Sequence, residues 1–415
     1  MDIAFHYFAV KTLARLAGFA ETEAQIIAEN SQMVDDFDFT RYWNCSNVPR
    51  YIKNSEDYDL CVWGGYFNPA QTGFLCDGLL GYTDYVNLVR YRFQKFTCVP
   101  FHFIPPDRSM IGKEEYRVRP AKLGDGSIIS QLLEQAMKEF RAAEGTKLRR
   151  RKLMKLGVLL HIFADTVAHQ MFSGFNAYVN MTELVQVTNN ITKGDETQKY
   201  KSNTQKLLNH LTCWVPWFTP AIGHMMLEHV PDLTHLTFTM KYRDNNRVLT
   251  HKRNNTEEFL DVSRQILDFL CDCLGTPRFV DTRWKDVRKM LSAVFQTDIS
   301  EYKGQEETVK HLQKVWGAAF PYKYKYNGEA LKAAFIGKNA TAEPFAPADG
   351  NGMKKISLNY LPSATDMKLS GMDMRFGGEN DLLDSVLATK ASHDFYEFNV
   401  IADEILIALY GPHPR

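Results

Sequence analysis

Residues 161–169 read His-Ile-Phe-Ala-Asp-Thr-Val-Ala-His, and they constrain the fold of this chain more than any other stretch. They lie in a segment expected to be helical over residues 147–172, with Leu153, Leu156, Leu160, Phe163, Val167 and Met171 on its apolar side. At about 100° per residue, four-residue steps return to within about 40° on a helix surface, so His161, Asp165 and His169 share one face. A polar face in an apolar helix is costly to bury unless its groups are paired or metal-bound. The rise of about 1.5 Å per residue puts the two histidine backbones about 12 Å apart, whereas one ion holds its ligands at about 2 Å. One ion can take His161 with Asp165, or Asp165 with His169. The spacing fits a bridging Asp165 between two ions, or one ion with His169 outside its ligands.

Other polar groups fall where burial is expected. A helix over residues 3–17, stopped by Gly18, carries His6 inward on a stripe with Ile3, Val10, Leu13 and Ala17. A second helix is expected to start at Thr22, with Gln25 completing a capping box, and to end at Asp35-Asp36. Two carboxylates there oppose the helix dipole and need another source of stabilisation. His102 sits in Pro100-Phe101-His102-Phe103-Ile104-Pro105, where bracketing prolines disfavour a long helix. His224 and Glu228 are again four apart, on a helix expected over residues 220–228, and Pro231-Asp232 follows. Each pair alone also describes an ordinary helix-surface hydrogen bond. Together, one shared metal cluster would satisfy them all.

Composition sets the frame. The chain has 415 residues, 49 Lys+Arg against 49 Asp+Glu, and 45% hydrophobic residues, which fits a globular protein and excludes disorder. Zero formal net charge removes the electrostatic case for wrapping nucleic acid or an anionic membrane. The cluster Lys147, Arg149, Arg150, Arg151 and Lys152 reads as a solvated helix start. No run reaches the roughly 18–20 apolar residues of a membrane span, and the start lacks a secretory signal pattern, so a soluble, cytoplasmic chain is expected. Seven cysteines, an odd number without CxxC spacing, read as reduced thiols.

The organisation expected is mainly α: one large multi-helix domain over residues 1–321 with long irregular loops. A Gly- and Pro-rich excursion follows over 322–380, and a C-terminal helix within 381–415 closes back on the same domain. Further helices are expected over 204–212, 256–274, 284–295 and 306–319, and a short strand over 236–240. Aromatic residues between Trp43 and Phe74 either cover the core or line a groove.

The order of these residues resembles that of a known superfamily. His6, then Asp35 or Asp36, His102, HxxxD, His and HxxxE is similar to the ligand order of zinc-dependent phospholipase C and the single-strand-specific nucleases, an all-helical superfamily with a three-metal site. The chain looks still closer to an uncharacterised family of bacterial relatives. They share the Gln32-Met33-Val34-Asp35-Asp36 helix end and the His161–His169 stretch followed by Phe172-Ser173-Gly174.

The resemblance implies two to three zinc ions held by His6, one of Asp35 and Asp36, His102, His161, Asp165, His169, His224 and Glu228, with Asp165 bridging. It implies hydrolysis of a phosphodiester, in a small molecule, lipid headgroup or nucleic acid, with the other of Asp35 and Asp36 orienting or deprotonating water. Asp232 is expected to support a ligand. In those enzymes the amine of a processed N-terminal residue also binds metal; here Met1 precedes His6 by five residues. The alternatives are a non-catalytic, metal-stabilised binding protein of the same fold, and a phosphohydrolase built on His393-Asp394, which reads more simply as helix-start chemistry.

Overall fold

The structure is a computed structural model that describes residues 1–37, 43–45, 62–63, 66–67, 70–73, 91–143, 145–201, 221–245, 247–299, 304–336, 341–344, 385–389 and 392–411. The chain is mainly helical and divides into two compact units. Met1–Gln32 with Phe101–Tyr326 form the first, and Met33–Pro100 with Asn327–Arg415 the second. Residues 33–100, expected with the N-terminal domain, therefore group with the C-terminal part of the chain. The expected helix over 204–212 lies outside the described residues, as does most of the aromatic stretch between Trp43 and Phe74.

In the first unit, helix α1 opens as a π-helical turn, Ala4–Ala9, and continues as an α-helix, Val10–Ala17. Every residue of the π turn is buried, His6 included. Helix α2, Glu21–Asp36, starts one residue before the expected point. Its capping contact runs from the Ala20 N–H to Glu23, because Gln25 is engaged by the Tyr7 hydroxyl and the Lys325 carbonyl. Helix α3, Ile128–Arg141, is capped by Ser127 and precedes α4, Thr146–Ala168.

From Leu153 to Ala168 every residue of α4 is buried, as befits a helix without a solvent face. Gly157 lets α2 approach: a Cβ there would lie 2.3 Å from the Ile27 carbonyl oxygen. The basic start of α4 is paired as well as solvated, with Arg149 on Glu23 and Lys152 on Glu139.

The short strand expected over 236–240 is the centre of a three-stranded antiparallel sheet. Strand β1 spans Glu183–Asn189, β2 Leu236–Asp244 and β3 Arg247–Asn254, in that spatial order. β3 runs straight into α5, Asn255–Leu274, which is followed by α6, Asp281–Phe295, and α7, Gln305–Ala319. Asn255, expected as the cap, is the first helical residue, and its side chain turns inward. Phe5 of α1 packs on Phe259 and Phe295, with ring centroids 5.6 and 5.8 Å away.

In the second unit, part of the expected excursion is regular: Gly328–Ile336 is helix α8 and Thr341–Pro344 a strand. That strand belongs to a five-stranded sheet with Ser385–Thr389, Trp43–Cys45, Tyr66–Phe67 and Val62–Trp63. The C-terminal helix α9, His393–Tyr410, is capped by Ser392, which accounts for His393-Asp394 as a helix start. Phe398 of α9 packs 4.5 Å from Phe37, and Asn399 accepts the Ala70 N–H at 2.6 Å. Among the described residues Cys98, Cys271 and Cys273 are buried, and no helix is long and apolar enough to cross a membrane.

Candidate metal centre

Helix α4 brings His161 and Asp165 onto one buried face, and the chain just past Phe101 delivers His102 to them. His102 Nδ1 and His161 Nε2 lie 3.1 and 3.2 Å from Asp165 Oδ2 and 3.4 Å from each other. The other oxygen, Oδ1, meets His6 Nε2 at 3.1 Å and the Met1 amine at 2.6 Å. His6 also stacks on His161, with centroids 3.7 Å apart. Asp165 is thus a buried carboxylate shared by four nitrogen groups from three parts of the chain. Burial alone would raise its pKa, but His169, the Met1 amine, His161 and His6 outweigh that and hold the carboxyl well below the usual range.

His169, at the end of α4, belongs mainly to a second group. Its Nε2 lies 3.3 Å from Asp232 Oδ1, and His224 Nε2 lies 3.3 Å from Asp232 Oδ2. Both imidazoles are anchored by the far nitrogen. His169 Nδ1 meets the His102 carbonyl oxygen at 2.7 Å, and His224 Nδ1 the Glu228 carbonyl oxygen at 2.6 Å. A carbonyl oxygen only accepts, so Nδ1 donates, and in the neutral ring Nε2 keeps a lone pair directed at Asp232. Such backbone anchoring of the distal nitrogen is the usual support of a metal-binding histidine. Phe103 stacks on His169 at 4.4 Å.

The pairing of His224 with Glu228 differs from the expected helix geometry. Met225–Leu227 forms a single 3-10 turn, bounded by Gly223 at φ 51° and Glu228 at φ 50°. Two left-handed residues preclude a continuous α-helix, so the four-residue step does not put the two side chains on one helix face. Glu228 meets His224 through its backbone carbonyl, and Asp232 is the acid beside the ring. Gly223 also makes room for Phe103, whose ring atom a Cβ would meet at 2.4 Å.

The donor sets suit a metal ion. In each of His102–His161–Asp165 and His169–His224–Asp232 the ligand atoms all lie within 4.8 Å of one another. A tetrahedral zinc with bonds of about 2.0–2.1 Å holds its ligands about 3.3 Å apart, close to the spacings in both groups. His6 Nδ1 is buried without a hydrogen-bond partner among the described residues. Burial, then the neighbouring His161 and the Met1 amine, push His6 down to about 3. Burial likewise lowers His224 to about 4, against the pull of Asp232. Both rings are therefore neutral, the form that binds a metal.

Of the residues singled out in the sequence, His6, His102, His161, Asp165, His169 and His224 come together in the first unit. Asp35 and Asp36 are the last two residues of α2, partly exposed, and belong to the second unit. Asp232, expected only as a supporting residue, is a member of a group. The run Pro231-Asp232 after His224 was its signal, and the turn at Met225–Leu227 is what promotes it. Phe103 and Arg253 carry no spacing signal at all.

No curated protein and no solved structure matches this chain. The likeness that does emerge is at the level of the family: residues 1–404 match the family model described as a family of unknown function, DUF6765, and the chain belongs to that family.

Proposed function

We propose that this protein is a zinc-dependent hydrolase of phosphodiesters with a fold of the zinc-dependent phospholipase C type. The observation that carries this reading is the convergence of His102, His161 and Asp165, with contacts of 3.1, 3.2 and 3.4 Å matching the edges of a zinc tetrahedron. These three would hold one ion, and His169, His224 and Asp232 another. When bound, zinc supplies Lewis acidity: it acidifies a water to a nucleophile near neutral pH and polarises a phosphoryl oxygen.

The chain's own residues do the remaining work. Carbonyls fix His169 and His224 at Nδ1, so neither ring swings away as substrate enters. Phe103, stacked on His169, keeps one wall of the site apolar. His224 and Asp232 are 16% and 11% exposed, against 0% and 1% for His161 and Asp165, so a phosphodiester would enter at the second group.

The burial of His161 and Asp165 favours a second reading, a metal-stabilised binding protein with a closed, structural site. Elemental analysis of the purified protein, with assays on bis(p-nitrophenyl) phosphate, phosphatidylcholine vesicles and single-stranded DNA in added zinc, separates the two. Two or three equivalents of zinc with hydrolysis of one substrate are expected. Zinc without hydrolysis selects the second reading, and no bound transition metal refutes both.

A further inference from the structure

We propose that Arg253 is a positioning residue that sets the spacing of His169 and Asp232. The inference rests on the metal-site reading above and assigns a role to a residue outside the two ligand groups. Arg253 lies in β3, which runs into α5, and is 2% exposed. Its Nη1 donates to the Val167 and Ala168 carbonyls at 3.0 and 2.7 Å, and its Nη2 to the Pro231 carbonyl. Ala168 immediately precedes His169, and Pro231 immediately precedes Asp232. One planar guanidinium therefore grips the backbone just before each of two ligands that stand 3.3 Å apart at their side chains.

The grip is itself held. Arg253 Nε donates to Asn255 Oδ1 at 2.7 Å, and Asn255 Nδ2 donates to the Val230 and Leu233 carbonyls at 2.8 Å each. The Phe238 ring lies 4.9 Å from the guanidinium. Val167 and Ala168 are the last residues of α4, whose free carbonyls form the negative end of the helix dipole, so a cation is stabilised there, with Glu258 and Asp232 adding to that. Only arginine offers donors in a rigid fork that can span the α4 terminus and the Pro231 turn together; a lysine ammonium is a point donor.

The test is a zinc titration of metal-free protein against a competing chelator, with His224→Ala marking the step that belongs to the second group. Arg253→Lys is expected to weaken that step by about 10- to 100-fold and leave the other unchanged, as loss of a ligand's support does elsewhere. Asn255→Ser, a milder break in the same clamp, should weaken the same step less and covers the case in which Arg253→Lys does not fold. Folded variants with both steps unchanged, or weakened equally, overturn the proposal while leaving the metal reading intact. Should the wild-type chain take up no zinc, the metal reading falls and imidazole nitrogen resonances of the metal-free protein decide. Shifts at His169 and His224 with His6 and His102 unmoved support the clamp, and no shift overturns it.

Discussion

The two ligand groups share a helix but are held by different means. His102, His161 and Asp165 are positioned by burial: α4 has no solvent face around them, and Asp165 takes contacts from both of its oxygens. His169, His224 and Asp232 are positioned by backbone: two imidazoles hang on carbonyls, and the chain before two of the ligands is gripped by a guanidinium. The first arrangement cannot be altered without unsettling the core. The second can be altered locally. Structural burden thus falls on one group, and solvent access on the other.

The largest expected effect tests the first half of that contrast. Asp165→Asn removes the charge that His6, His102, His161 and the Met1 amine surround, and should cost about 3–5 kcal/mol in urea denaturation, as breaking a buried ion pair does, together with the zinc of the first group. Asp232→Asn should instead remove about one equivalent of zinc by elemental analysis while the fold survives. An equal loss of stability in the two variants would erase the distinction.

Acidity acts next. In the metal-free chain His6 and His224 titrate at about 3 and about 4, below the ordinary 6.5 that an unfolded chain offers. Below 6.5 the unfolded state binds more protons, so the stabilisation present above that pH is lost as pH falls toward the folded values. Denaturation midpoints should therefore drop between pH about 7 and about 5, and His6→Gln and His224→Gln should each flatten the drop.

Gly223→Ala forces a Cβ against Phe103, which stacks on His169, and at a positive φ; about 1–3 kcal/mol of destabilisation is expected, as for overpacking elsewhere. Smallest of all, Glu228→Gln should leave zinc content unchanged, because the backbone carbonyl rather than the carboxylate meets His224. Loss of zinc in that variant would return Glu228 to the ligand set and Asp232 to a supporting role.

The first group was legible because a four-residue step on a long helix survives folding: His161 and Asp165 needed only the helix. His169 was legible as a partner but not in its allegiance, since it sits where α4 ends and turns toward Asp232. The exchange of Glu228 for Asp232 was hidden because the spacing argument presumes an α-helix, and Gly223 and Glu228 take left-handed backbone instead. Strand β3 is not legible for a related reason: Arg247–Thr250 are exposed in succession, so no period of two marks it. Arg253 is hidden with it, since its role depends on a strand that composition does not advertise. The sheet of the second unit is built from strands as short as Val62–Trp63, too brief for any periodic signal.

Asp165 draws in partners 159 and 63 residues away, His6 and His102. A metal at this point would act on the chain as a cross-link does, closing loops of that length and removing conformations mainly from the unfolded ensemble; a loop of about 100 residues corresponds to about 4.7 kcal/mol in the entropic account. No short fragment carries the set, so a nascent chain cannot assemble it until α4 has emerged and been met by the N-terminal helix. Contacts of such sequence separation form slowly, so a metal bound here would be captured near the end of folding and would act as a late lock on the native topology.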